Sequence, residues 1–98
     1  LINSLNLQVQ FSNVFLTNYP NPLSQKTIIA FSLPEPGNFT LKISYSNSLN
    51  VVKLFDGYAE ANTLYTVEFD AVNLAGGIYF YRLITDTGIY TKKFAVIK

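Results

Sequence analysis

Cysteine, histidine, methionine and tryptophan are all missing from this chain of 98 residues. No disulfide can staple the fold, no thiol can act as nucleophile or metal ligand, and the redox state of the compartment leaves no mark on the sequence. The lack of histidine removes the commonest general base. Serines such as Ser24, Ser44 and Ser48 have no base close in sequence. A lysine base would need a burial that the sequence does not suggest. Charge is scarce too: 13% of the residues are charged and the net charge is +1. Read in order, the chain shows no basic face, which argues against nucleic acid as a partner. The apolar runs are too short to span a bilayer. Helical spacing does not persist; Tyr58 to Ala61 is a weak candidate, too short to count. No internal repeat or low-complexity tract is present. The chain starts at Leu1, without an initiator methionine or a charged, apolar leader, and so reads as a fragment or mature piece.

What is present is a hydrophobic fraction of 49%. That is enough for one domain with its own core, and the length leaves no room for a second. The spacing is that of strands. Leu5 to Phe11 alternates apolar and polar residues, the pattern of a half-buried strand. Tyr19-Pro20-Asn21-Pro22 predicts a stiff bend, since each proline fixes its own φ and pushes its predecessor to extended geometry. Thr27, Ile29, Phe31 and Leu33 share one strand face, and Ile28 and Ala30 make the other fairly apolar, which predicts a central strand. Pro34 to Asn38 is a turn cluster. Phe39, Leu41, Ile43 and Tyr45 then alternate with Thr40, Lys42 and Ser44. A polar loop, Ser46 to Asn50, leads to a short strand, Val51 to Phe55, with Lys53 outward, and Asp56-Gly57 predicts a turn. Tyr65, Val67 and Phe69 alternate with Thr66, Glu68 and Asp70.

The last quarter is a hairpin, Gly77 to Ile97, turning at Asp86-Thr87-Gly88. Tyr79, Tyr81 and Leu83 face one way and Arg82 the other. About seven short strands with regular turns predict an all-β, immunoglobulin-like antiparallel sandwich. Leu74, Gly76 and Tyr79 resemble the tyrosine corner of such sandwiches, so the Tyr79 hydroxyl is expected to bond backbone near Leu74 or Ala75.

Candidate chemistry is thin. Asp86-Thr87-Gly88 spells the loop motif of aspartic proteases, and the length is near that of a retroviral protease monomer. The turn reading is the stronger one, because only ten residues follow the motif. Glu35, Asp56, Glu60, Glu68, Asp70 and Asp86 could make a calcium site or a glycosidase pair, but only Glu68 and Asp70 share a strand face. No metal or other cofactor is expected. Asn38-Phe39-Thr40 is a glycosylation acceptor only in a glycosylating host. Of the seven tyrosines, Tyr58 and Tyr90 are the exposed candidates for a sugar platform. Tyr45, Tyr65, Tyr79 and Tyr81 read as core. Lys92, Lys93 and Lys98 form a basic cluster near the end.

The distinctive residues occur in a fixed order. They are Tyr19-Pro20-Asn21-Pro22, a Thr-Ile-x-x-Phe strand from Thr27, Leu33-Pro34-Glu35-Pro36-Gly37, Phe69-Asp70-Ala71, Leu74-Ala75-Gly76-Gly77-Ile78-Tyr79-Phe80-Tyr81-Arg82-Leu83, and Lys92-Lys93-Phe94-Ala95-Val96-Ile97-Lys98. Together they resemble the C-terminal sorting domain, type A, of the type IX (Por) secretion system of Bacteroidetes. The resemblance runs from Phe15 to Lys98. It implies a non-catalytic, immunoglobulin-type address on a secreted cargo domain upstream, carried from the periplasm across the outer membrane to the surface or medium. It also implies recognition of the folded domain and its last strand by outer-membrane shuttle and translocon proteins, and removal by a sortase-like cysteine peptidase that cuts ahead of the domain. Residues 1–18 are then a lead-in or extra strand, and residues 19–98 the sorting domain. The family usually carries a Leu-Gly-Arg/Gln-Glu-Val turn where this chain has Ser48-Leu49-Asn50-Val51-Val52. Ser46-Asn47 is expected to supply that turn.

On this resemblance, Tyr19, Pro20, Asn21, Pro22, Gly77 and Tyr79 are family-motif residues. Lys92, Lys93, Phe94, Val96, Ile97 and Lys98 are the expected translocon-recognition segment. Two other functions fit a similar pattern. One is a plain immunoglobulin-like structural module, such as a flagellar hook-capping domain or a spacer beside a secreted hydrolase. The other is a carbohydrate-binding module, which a line of exposed aromatics would favour.

Overall fold

A computed structural model describes residues 2–5, 13–45 and 51–98. Its eight strands are β1 (Ile2–Leu5), β2 (Phe15–Tyr19), β3 (Lys26–Ser32), β4 (Gly37–Tyr45), β5 (Val51–Ala59), β6 (Leu64–Asp70), β7 (Gly77–Thr85) and β8 (Gly88–Val96). No helix occurs among the described residues. One sheet has the order β1-β6-β3-β2 and the other β5-β4-β7-β8, with antiparallel pairing throughout. The predicted all-β, immunoglobulin-like sandwich is thus what forms. β1 adds an eighth strand at the edge of β6, pairing Ile2 with Val67 and Leu5 with Leu64. Leu5 to Phe11 was expected to be one strand; beyond Leu5 it lies outside the described residues.

The period-two pattern explains the core. Ile29 and Phe31 of β3, Leu41 and Ile43 of β4, Val67 of β6, and Tyr79, Tyr81 and Leu83 of β7 are all buried between the sheets. Each alternates with a wetter neighbour, because successive side chains on a strand point to opposite faces. β3 is central in its sheet, as its two apolar faces imply. Phe94 stacks on Tyr79 with ring centroids 5.7 Å apart and meets Phe69 and Tyr81 at 5.9 Å. Offset and tilted aromatic contacts of this kind add to the energy of burial.

Two expected turns are strand instead. Gly37 and Asn38 already belong to β4, so the Asn38 sequon sits on a strand rather than in a turn. Asp56-Gly57 does not reverse the chain; β5 runs on to Ala59, pairing Asp56 with Thr40 and Gly57 with Phe39. Cross-strand packing overrides the turn propensity. The Phe39 and Phe55 rings stack, with centroids 6.2 Å apart, beside the position where Gly57 has no Cβ. The register also shifts: Leu41 pairs with Phe55 but Lys42 with Lys53, so Leu54 is an extra residue, a bulge. The expected loop and turn over Ser46-Asn47, Ser48, Leu49 and Asn50 fall outside the described residues.

Candidate functional site

The two motif segments furthest apart in sequence meet at one edge of the sandwich. β8 is an edge strand, with β7 on one side. Its other side would present bare peptide groups, but the bend after β2 covers part of it. The Asn21 side chain donates from Nδ2 to the Lys93 carbonyl at 3.2 Å and accepts at Oδ1 from the Ala95 amide at 3.1 Å. One residue pair further on, the Leu23 amide donates to the Ala95 carbonyl at 2.9 Å and the Ile97 amide to the Leu23 carbonyl at 2.8 Å. Leu23 therefore forms a parallel bridge with Val96, and its side chain is buried. The β8 edge from Lys93 to Ile97 is taken up by the chain's own bend.

Buried polar groups fix that bend. Asn18 and Thr27 face the interior, where a polar group must find partners. Asn18 Nδ2 donates to Thr27 Oγ1 at 3.0 Å, and Thr27 Oγ1 donates to the Pro20 carbonyl at 2.9 Å. Both X–Pro bonds of the motif, Tyr19–Pro20 and Asn21–Pro22, are cis. The Tyr19 side chain itself points into solvent.

The tyrosine corner forms at the start of β7, level with the clasped part of β8. The Tyr79 hydroxyl donates to the Ala75 carbonyl at 2.6 Å. Gly77 opens the strand with φ +153°, a conformation that L side chains rarely adopt. Tyr81, two residues on, is buried, and that burial pushes its phenol up to about 12.

The residues of the terminal segment point in different directions. Phe94 and Val96 are core. Lys93 lies on the outer face of its sheet, level with Phe80 of β7. Lys92 has the opposite parity and lines a groove between β8 and β2, together with Phe15, Thr17 and Tyr90. Lys98 donates from Nζ to the carbonyls of Ala71 and Val72, at 3.1 and 3.2 Å, and so secures the β6–β7 connection. Ile97 is exposed. The three lysines thus do not share one patch.

The carboxylates stay dispersed, and no group of three or more His, Cys, Asp or Glu that could hold a metal occurs among the described residues. Asp70 Oδ1 accepts from the Val72 amide at 2.9 Å, and Glu68 faces Lys26 at 4.0 Å. Asp86 and Thr87 make the two-residue hairpin turn, where the Thr85 hydroxyl accepts from the Thr87 amide and donates to the Gly88 carbonyl, each at 3.2 Å. Asp86-Thr87-Gly88 is therefore a turn. Tyr58 is exposed on β5 and Tyr90 half-buried at the groove, so they form no line of aromatics.

Sequence reasoning missed three features: the buried pair Asn18 and Thr27, the bridge at Leu23, and a row of cations on the outer face of β5-β4-β7-β8. Asn18 directly before Tyr-Pro was a usable signal. The cations were not legible, because Lys42, Lys53, Arg82 and Lys93 meet only through the strand order.

No curated protein matches the chain. The family described as secretion system C-terminal sorting domain matches residues 17–98, from within β2 past the end of β8. The matched stretch holds both the bend at Tyr19–Pro22 and the strand that it clasps, and the chain belongs to that family, the C-terminal sorting domains of type IX secretion.

Proposed function

We propose that this domain is a non-catalytic address, read in its folded form by the type IX machinery at the composite end where Asn21 clasps β8. One observation carries this reading: Asn21 bonds both Lys93 and Ala95, more than seventy residues away. The address is then a folded surface made from both ends of the domain. The partners are the shuttle and translocon proteins of the outer membrane. They contact Lys92 and Lys93 on the two sides of β8, where positive charge can steer encounter with an acidic site. The cargo passes through the periplasm to the cell surface or medium.

A sortase-like cysteine peptidase removes the domain. Cleavage falls ahead of Phe15, because β2 is hydrogen-bonded to β3 along its length and a protease needs an extended, accessible segment. Residues before β2 are the lead-in, and the sorting domain proper starts with that strand.

A fluorescent cargo fused ahead of the domain tests both points in a type IX-competent cell. Lys92→Glu with Lys93→Glu should leave the fold intact, since exposed charges contribute little to stability, yet hold the cargo in the periplasm. A folded variant secreted at wild-type yield would refute recognition through the lysines. Mass spectrometry of the secreted cargo locates the cut, and a terminus within or beyond β2 would refute its placement.

A further inference from the structure

The outer face of β5-β4-β7-β8 carries an arrangement that works against folding. Lys53, Lys42 and Arg82 stand directly opposite one another on three neighbouring strands. Like charges at directly opposed positions destabilise a sheet. The bulge at Leu54 is what completes the row: with continuous pairing Lys53 would face Ile43 on the inner side, and the shift turns it outward beside Lys42. Asp56 partners Lys53 at 3.1 Å. Lys42 and Arg82 have no ion pair among the described residues. Lys93 stands one row away, next to Phe80.

Apolar side chains border the cations on the same face. Ile84 pairs with Ile89 on one side of the row, and Phe80 and Ile78 follow Arg82 on the other. Ile89 is 61% exposed and Ile78 45%. The outer face of the other sheet has Glu68 and Asp70 around Lys26. Positive and negative charge are thus divided between the two faces, although the net charge is only +1.

We propose that this face is a docking surface for the phosphate layer of an anionic lipid membrane. The charge is complementary, with four cations in two adjoining rows and a single carboxylate among them. A lysine ammonium or arginine guanidinium donates to phosphate oxygens without needing a pocket. The half-exposed Ile78, Phe80, Ile84 and Ile89 lie where they can enter the boundary between headgroups and acyl chains. A strand face with exposed Lys53, Arg82 and Lys93 fits a laterally mobile layer of headgroups better than a folded acidic partner, which needs fixed shape complementarity. The division of charge would orient the domain with this sheet toward the membrane.

The test is co-sedimentation of the 98-residue chain with phosphatidylglycerol/phosphatidylcholine vesicles, with phosphatidylcholine vesicles alone, and with soluble polyglutamate as competitor. Binding should require phosphatidylglycerol and weaken as salt rises. Lys42→Gln with Arg82→Gln should lower the vesicle affinity roughly thirtyfold, from about 1 kcal/mol for each of the two basic residues. The same variant should melt no lower than the wild type, because it removes opposed like charges. Lys26→Gln, on the opposite face, should bind as the wild type does. Equal binding to neutral vesicles, or wild-type affinity in the double variant, overturns the proposal. So does capture of polyglutamate without any capture of vesicles, which would assign the face to an acidic protein.

Discussion

The Tyr79 hydroxyl and the Ala75 carbonyl lie 2.6 Å apart, and this bond closes the connection between β6 and β7 onto the strand that follows it. The ring is buried against Phe94, so the hydroxyl is held where only a few acceptors can reach it. Tyr79→Phe keeps the ring and leaves the Ala75 carbonyl without this donor. The expected cost is about 1 kcal/mol. Urea unfolding reads it as a lower midpoint at unchanged slope, and an unchanged midpoint would show that the corner adds nothing.

Asn21 gives a local prediction. Asn21→Ala removes the acceptor of the Ala95 amide and the donor to the Lys93 carbonyl. The site is exposed, so water replaces part of both bonds and the global cost should stay at about 1 kcal/mol. Hydrogen exchange is the sharper readout. The Ala95 amide should lose protection, while the Phe94 and Val96 amides, which pair with β7, keep most of theirs. Uniform loss along β8 would mean that the whole edge strand opens as one unit.

Ser32 is the opposite case. Its side chain is fully buried, and Oγ has no hydrogen-bond partner among the described residues. Ser32→Ala removes a desolvated hydroxyl at almost constant volume. Stability should stay level or rise by up to about 1 kcal/mol, measured as thermal midpoint. A clear loss would reveal a partner for the hydroxyl.

Tyr81 sets an alkaline limit. Burial raises its pKa to about 12 from the ordinary 10.0. The folded state therefore favours the neutral phenol. Its contribution is complete below pH 10 and is lost as the pH rises toward 12. The full loss is on the order of 2 kcal/mol. Unfolding free energy followed from pH 8 to 12 should fall in that window, and the fall should be shallower in Tyr81→Phe.

Strand alternation was the legible part of the sequence. Leu41 and Ile43, or Tyr79 and Tyr81, disclose an inner face because alternation is a property of the strand itself. The corner was legible for the same reason, since Tyr79 reaches only four residues back. What was not legible depends on neighbours brought together by the fold. Asp56-Gly57 has turn propensity, yet Phe39 across the sheet holds it in a strand. Asn21 looks like a loop residue until β8 is laid beside it. Lys42 and Arg82 sit forty residues apart, and only the pairing of β4 with β7 makes them opposed charges.

The clasp also imposes an order in time. Synthesis runs from the N-terminus, so Asn21 and Leu23 are made long before Lys93, Ala95 and Ile97, to which they bond. Until β8 arrives, Asn21 and Leu23 lack these partners, and Tyr79 and Tyr81 lack the cover of Phe94. A chain cut short within β8 can offer β2 to β3 but cannot build the composite edge. On the reading proposed above, a receptor that reads the clasped edge would reject a chain truncated before or within β8 without inspecting the cargo itself.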